Sequence, residues 1–100
     1  MAKGYWIARV DVTNPDGYQG YVKANAAAFH KFGAKFIVRG GGFEAPEGSP
    51  RTHNVVLEFA DYATALGCYR SPEYQAAKAL RDGHGVVDLL IIEGYDGVQP

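Results

Sequence analysis

The chain has 100 residues, 47% hydrophobic and 21% charged, with a formal net charge of −1, which suits one domain, 1–100, around one core. No basic tract is present, so nucleic acid is excluded as an expected partner. No run approaches the roughly 20 apolar residues of a membrane helix, and a single cysteine, Cys68, rules out an internal disulfide.

The opening "MAKGYWIARV" leads straight into a strand, so no signal peptide is expected and a cytoplasmic location is. In "YWIARVDV", residues 5–12, Trp6, Ala8, Val10 and Val12 alternate with Tyr5, Ile7, Arg9 and Asp11. Asn14 and Pro15 are a cap and a first-turn residue for a helix running to about Phe32. Its inward stripe is Tyr18, Val22, Asn25, Phe29 and Phe32, and Gly33 ends it. "AKFIVRG" is the second strand, with Phe36 and Val38 on one face and Lys35, Ile37 and Arg39 on the other. "GGGFEAPEGSP" reads as a long hairpin loop, and "HNVVLEF" as the third strand, with Val55, Leu57 and Phe59 opposite Asn54, Val56 and Glu58. Asp61 caps "YATALGCYR"; Ser71 and Pro72 then restart the helix through "EYQAAKALRD" to Gly83. "VDLLIIEG" is the last strand, read with Leu90 and Ile92 on one face and Leu89, Ile91 and Glu93 on the other, before the tail "YDGVQP".

The order β-α-β-β-α-β predicts an α+β, ferredoxin-like sandwich: an antiparallel four-stranded sheet with two helices on one face. The face assigned to the helices is wholly apolar: Trp6, Ala8, Val10, Phe36, Val38, Val55, Leu57, Phe59, Leu90 and Ile92. The other face mixes Ile7, Ile37, Val56, Leu89 and Ile91 with charges of both signs, which is too apolar for a solvated sheet. A homodimer, sheet against sheet, is the simplest closed arrangement. Arg9, Asp11, Arg39, Glu58 and Glu93 are expected to form ion pairs that set its register. Arg39 is read as one of these, with a ligand carboxylate as the alternative.

The stretches "GYWIARVDVTNPDGYQGYV", "FGAKFIVRGG", "NVVLEF", "YRSPEYQAAKALR" and "IIEG" resemble the domain-of-unknown-function family numbered thirteen-thirty, of the dimeric α+β barrel superfamily, over about residues 4–94. The resemblance implies a ferredoxin-like protomer and a dimer whose sheets form a barrel. It implies no particular activity, since the wider superfamily includes cofactor-free monooxygenases, muconolactone isomerases, haem-degrading enzymes and stress-responsive proteins. The glycine run in "RGGGFEAPEGSP" departs from the even pattern expected after the second strand.

Few residues carry an obvious chemistry. His30, His53 and His84 show no metal-ligand spacing, so no metal and no cofactor is expected. Cys68 reads as a small buried residue rather than a nucleophile. The glycines at 40–42 precede no helix and match no phosphate-binding fingerprint. Asn25 is the polar exception on an inward stripe. It either bonds the backbone or a tyrosine hydroxyl, or it is the polar handle of a pocket between helices and sheet. Trp6, Tyr18 and Tyr69 would wall that pocket, with Tyr74 and Arg81 near the same end and Arg81 able to clamp a carboxylate. Two functions follow. One is a small-molecule binder or a cofactor-free monooxygenase or isomerase. The other is a non-catalytic dimeric module in metabolism or stress response.

Overall fold

The computed structural model describes residues 2–100. Its elements are β1 (Gly4–Val12), α1 (Pro15–Lys31), β2 (Lys35–Arg39), β3 (His53–Phe59), α2 (Tyr62–Arg70), α3 (Pro72–Ala79) and β4 (Gly85–Glu93). The strands form one antiparallel sheet in the order β2-β3-β1-β4. This is the ferredoxin-like α+β arrangement, with the second helix broken in two.

Local chemistry explains the helix ends. The Asn14 side chain accepts from Gly17 N at 3.2 Å, and Pro15 occupies the first turn. The Asp61 carboxylate accepts from Thr64 N at 2.7 Å. Ser71 serves two helices at once. Its hydroxyl donates to Cys68 O at 2.7 Å, closing α2, and accepts from Tyr74 N at 3.1 Å, opening α3. The break is thus a capped joint that turns Tyr74 under the helices.

The core is built on Trp6, which stands opposite Leu57 on β3 and Ile91 on β4. Its ring centroid lies 4.8–5.9 Å from those of Phe29, Phe59, Tyr69 and Tyr74, and its Nε1 donates to Ala65 O at 2.9 Å. Paired residues of an antiparallel ladder share a face, so this register places Val87, Leu89 and Ile91 under the helices. The expected phase of β4 is therefore corrected by one residue. Leu90 and Ile92 lie on the open face, 50% and 47% exposed, and Glu93, opposite Gly4, belongs to the helix-side phase. Both phases of "VVDLLII" are rich in aliphatic side chains, so alternation could not choose between them; only pairing with Trp6 does.

A second correction concerns β2. Phe36 pairs with Leu57, but Val38 pairs with Val56 and Arg39 with Val55, leaving Ile37 as the extra residue of a bulge. Beyond the bulge the phase reverses. Val38 turns to the open face, and Arg39 turns to the helix side, away from the ion-pair role expected of it.

The open face carries Ile7, Val38, Val56, Val86, Leu90 and Ile92, with Arg9, Asp11, Glu58 and Asp88 among them. Its ion pairs within the chain centre on Arg51, which had no assigned role. The Arg51 guanidinium donates to Asp11 at 2.8 Å and to Asp88 at 2.7 Å. The Thr52 backbone N–H also donates to Asp11 at 2.9 Å, and this bond, followed by Arg51, holds the Asp11 carboxyl below the usual carboxylate range. Its contribution is present above the ordinary carboxylate pKa and is lost as pH falls through the lowered value. Arg9 donates to Ser49 O at 3.1 Å, and Glu58 accepts from the Tyr5 hydroxyl at 3.2 Å. The contacts of Ser49, Arg51 and Thr52 tie the end of the 40–52 loop to the sheet. No helix among the described residues is long and apolar enough to cross a membrane.

Candidate functional site

Between the helices and the sheet lies a cavity of about 70 Å³. Its floor is Trp6, Ala8, Val10, Val55, Leu57, Val87 and Leu89, and its roof is Tyr18, Tyr21, Val22, Asn25 and Phe29 of α1 with Tyr74 of α3. Arg39 and His53 close one end, and Arg81 lies on the β4 side beside Val87 and Leu89. Phe36 and Arg39, on the edge strand, are the lining residues most open to solvent, so the cavity opens there.

The sequence-predicted residues sort clearly. Trp6, Tyr18, Asn25, Tyr74 and Arg81 all line this cavity. Tyr69 does not; it packs on Trp6 and Tyr74 and faces a separate hollow with Lys78 and Ile91. Asn25 is half-buried, and among the described residues no protein group hydrogen-bonds its amide. Of the two expectations for this residue, mutual satisfaction with a tyrosine is absent from the structure.

Besides Val87 and Leu89, whose phase was reversed, three polar lining residues escaped the sequence reading: Tyr21, Arg39 and His53. Tyr21 lies one turn after Tyr18, on the side of α1 that meets α3. Its signal was the i, i+3 tyrosine pair, whose rings sit 5.3 Å apart. His53 is in phase with Val55 and opposite Val10, so its place on the helix side was readable from strand alternation. Arg39 had no such signal, because nothing in "FIVRG" marks the bulge.

The polar groups form one connected network. The Tyr21 and Tyr74 hydroxyls lie 2.8 Å apart, and Arg81 donates to the Tyr74 hydroxyl. The Arg81 guanidinium also sits over the Tyr21 ring at 4.9 Å and the Tyr74 ring at 5.9 Å. Burial, reinforced by Tyr21, pushes the Tyr74 phenol far above its ordinary value, with Arg81 pulling weakly the other way. Burial likewise raises Tyr18. These phenols stay protonated near neutrality and act as hydrogen-bond donors, not bases. His53 is the only imidazole in the lining.

The remaining chemical groups lie elsewhere. His84 stacks against Gly17, where a Cβ would come within 2.4 Å of its ring, and its Nδ1 meets Asn14 Nδ2 at 3.2 Å. Among the described residues no three His, Cys, Asp or Glu side chains are grouped to hold a metal. Cys68 is fully buried, and burial, followed by Glu73, pushes its thiol up to about 12. It is expected to resist a thiol reagent such as iodoacetamide at pH 8 until denaturant is added. Labelling of the native protein at the rate of a free thiol would contradict that burial.

No protein of curated function matches the sequence. The fold is shared with several solved structures. A protein of unknown function from Rhodopseudomonas palustris, RPA0582, superposes with a TM-score of 0.74 at 18% identity, covering 99% of this chain and 85% of that one. SnoaB, a cofactor-independent oxygenase from Streptomyces nogalater, gives 0.66 at 9% identity, covering 100% of both chains. A dimeric protein of unknown function and ferredoxin-like fold from Bacteroides fragilis gives 0.60 at 13% identity, covering 91% of this chain and 95% of that one. Such low identities carry the fold and nothing more. The family model described as domain of unknown function (DUF1330) matches residues 3–95, and the chain belongs to that family.

Proposed function

We propose that this chain is a dimeric small-molecule protein of the cofactor-free oxygenase or isomerase type, with its ligand in the cavity between helices and sheet. The observation that carries the reading is Asn25: a half-buried amide without a protein partner, facing a mostly aromatic cavity. Small-molecule sites have this make-up, apolar walls with a few placed polar groups. A purely structural module would be expected to fill the space and satisfy the amide. In both reaction types a base takes a proton from carbon. His53 is the lining group suited to that role, with the Asn25 amide and a tyrosine hydroxyl available to hold the oxygen that gains charge. The oxygenase neighbour supports the capacity of the fold for such chemistry, and only that.

The dimer rests on the open face. Val38, Val86, Leu90 and Ile92 are each 43–50% exposed there, an apolar patch that a second copy would cover. The described residues form a slab of 44 × 36 × 16 Å, thin because one face of the sheet has no layer over it. A neighbour of the same fold is dimeric.

Native mass spectrometry, paired with a denatured spectrum of the same sample, tests both parts. The expected result is a dimer, with retained mass that leaves on denaturation. Leu90→Asp should convert the dimer to monomer, because it places a charge in an apolar contact. Sedimentation that finds only monomer for the parent protein at micromolar concentration would overturn the dimer.

A further inference from the structure

We infer that the ligand of this cavity is an organic anion, its oxyanion end held by Arg81 and the Tyr21–Tyr74 hydroxyl pair. The inference rests on the proposed small-molecule reading and adds the charge of the ligand.

Arg81 is only 8% exposed and makes no ion pair among the described residues. Buried cations are ordinarily paired with carboxylates. This chain has 11 acidic residues, yet no Asp or Glu lines the cavity. A guanidinium has five N–H donors, and the protein accepts one of them, at the Tyr74 oxygen. Among the described residues the only fully buried side-chain polar atom without a partner is Glu73 Oε1, so the unpaired nitrogens of Arg81 keep access to the hollows it lines.

The hydroxyls repeat the pattern. Tyr21 and Tyr74 share one hydrogen bond, which uses one of their two O–H hydrogens whichever way it runs. The other hydrogen has no protein acceptor among the described residues. The Asn25 amide adds two more N–H donors. Arg39, at the mouth, is stacked on Phe36 at 4.1 Å and, among the described residues, paired with no carboxylate. The lining therefore holds two cations, spare N–H and O–H donors, and no anion. A neutral ligand would leave the buried charge uncompensated, whereas a carboxylate or enolate accepts from several of these donors at once.

Size and shape set the rest of the ligand. The cavity, about 70 Å³, is roughly half the volume of one that holds benzene. The anionic head and a short carbon skeleton fit inside, and any larger part of the ligand lies toward Phe36 at the mouth.

The test compares benzoate with benzamide, which has the same shape and no charge. Both are titrated into the intact protein, following the Arg81 Nε–H and Asn25 Nδ2–H₂ resonances by NMR. Benzoate is expected to bind at least tenfold more tightly and to move both signals, as a charge-assisted hydrogen bond requires. Arg81→Gln should bring benzoate down to the level of benzamide. Because Arg81 is buried, Tyr21→Phe provides a milder variant, expected to weaken benzoate more than benzamide. Equal binding of the two probes by the parent protein would overturn the anion inference and leave the small-molecule reading standing. Binding of neither would overturn both.

Discussion

Replacing Trp6 with alanine is expected to cost about 3–5 kcal/mol, the range for deleting a large buried aromatic. Trp6 is 2% exposed and touches four aromatic rings on three helices and a neighbouring strand. Its indole N–H also satisfies Ala65 O in α2, and the variant loses that buried bond. The void would join the existing cavity, whose floor Trp6 forms, so the walls have little means to collapse inward. A domain of this size has about 5–15 kcal/mol of total stability, so the loss is a large share of it. Trp6 is the only tryptophan, so tryptophan fluorescence is lost with it and unfolding is followed by far-UV circular dichroism in urea. Protein concentration is held constant, because dimerisation would add to apparent stability. A loss below about 1 kcal/mol would show that the aromatic cluster repacks around the gap and that Trp6 is not its centre.

Gly40→Ala is expected to destabilise the fold by about 1–2 kcal/mol through backbone strain alone and to disturb the cavity as well. Gly40 has φ +64°, in the left-handed region that a side chain disfavours. A Cβ there would also lie 2.8 Å from His53 Cε1 and 2.9 Å from Nδ1. Either the imidazole turns, or the 2.9 Å bond from Gly40 N to Asn54 O opens. Gly41→Ala and Gly42→Ala are the internal controls. A Cβ at either meets nothing within 4 Å, and neither residue has positive φ, so both should be near neutral. The measurements are urea midpoints for the three variants and the His53 ring resonances. Equal effects from all three substitutions would mean that the run acts as a flexible loop and that Gly40 holds no special turn. That contrast would single out one glycine of the three, at the point where the edge strand ends after Arg39, against His53 at the start of β3.

Much of the architecture was legible along the chain because local chemistry specifies it. Asn14-Pro15, Asp61 and Ser71-Pro72 announce helix starts through side chains that accept orphan N–H groups, and each cap is found where it was read. The alternation in "YWIARVDV" identified the helix side of the central strand, since only one of its phases is wholly apolar. From those elements the ferredoxin-like order follows. Trp6, Tyr18, Asn25 and Tyr74 each face inward from their own element, and Arg81, in the turn after α3, joins them seven residues beyond Tyr74.

Other features depend on partners distant in sequence. The phase of "VVDLLII" is ambiguous by itself, and the ladder with β1 settles it by setting Ile91 opposite Trp6. The side on which Arg39 lies depends on one extra residue, Ile37, opposite β3. The donor excess around Arg81 exists only once α1 and α3 bring Tyr21 to Tyr74. Amino-acid sequence by itself determined which segments are helix and strand, where they begin, and which side of the central strand is buried, since these follow from backbone hydrogen bonding and periodicity over a few residues. Tertiary structure alone decided the phase of the outer strands and the charge of the cavity, because strand register and the surroundings of a buried charge depend on groups far apart in the chain, such as Trp6 and Ile91 or Tyr21 and Tyr74.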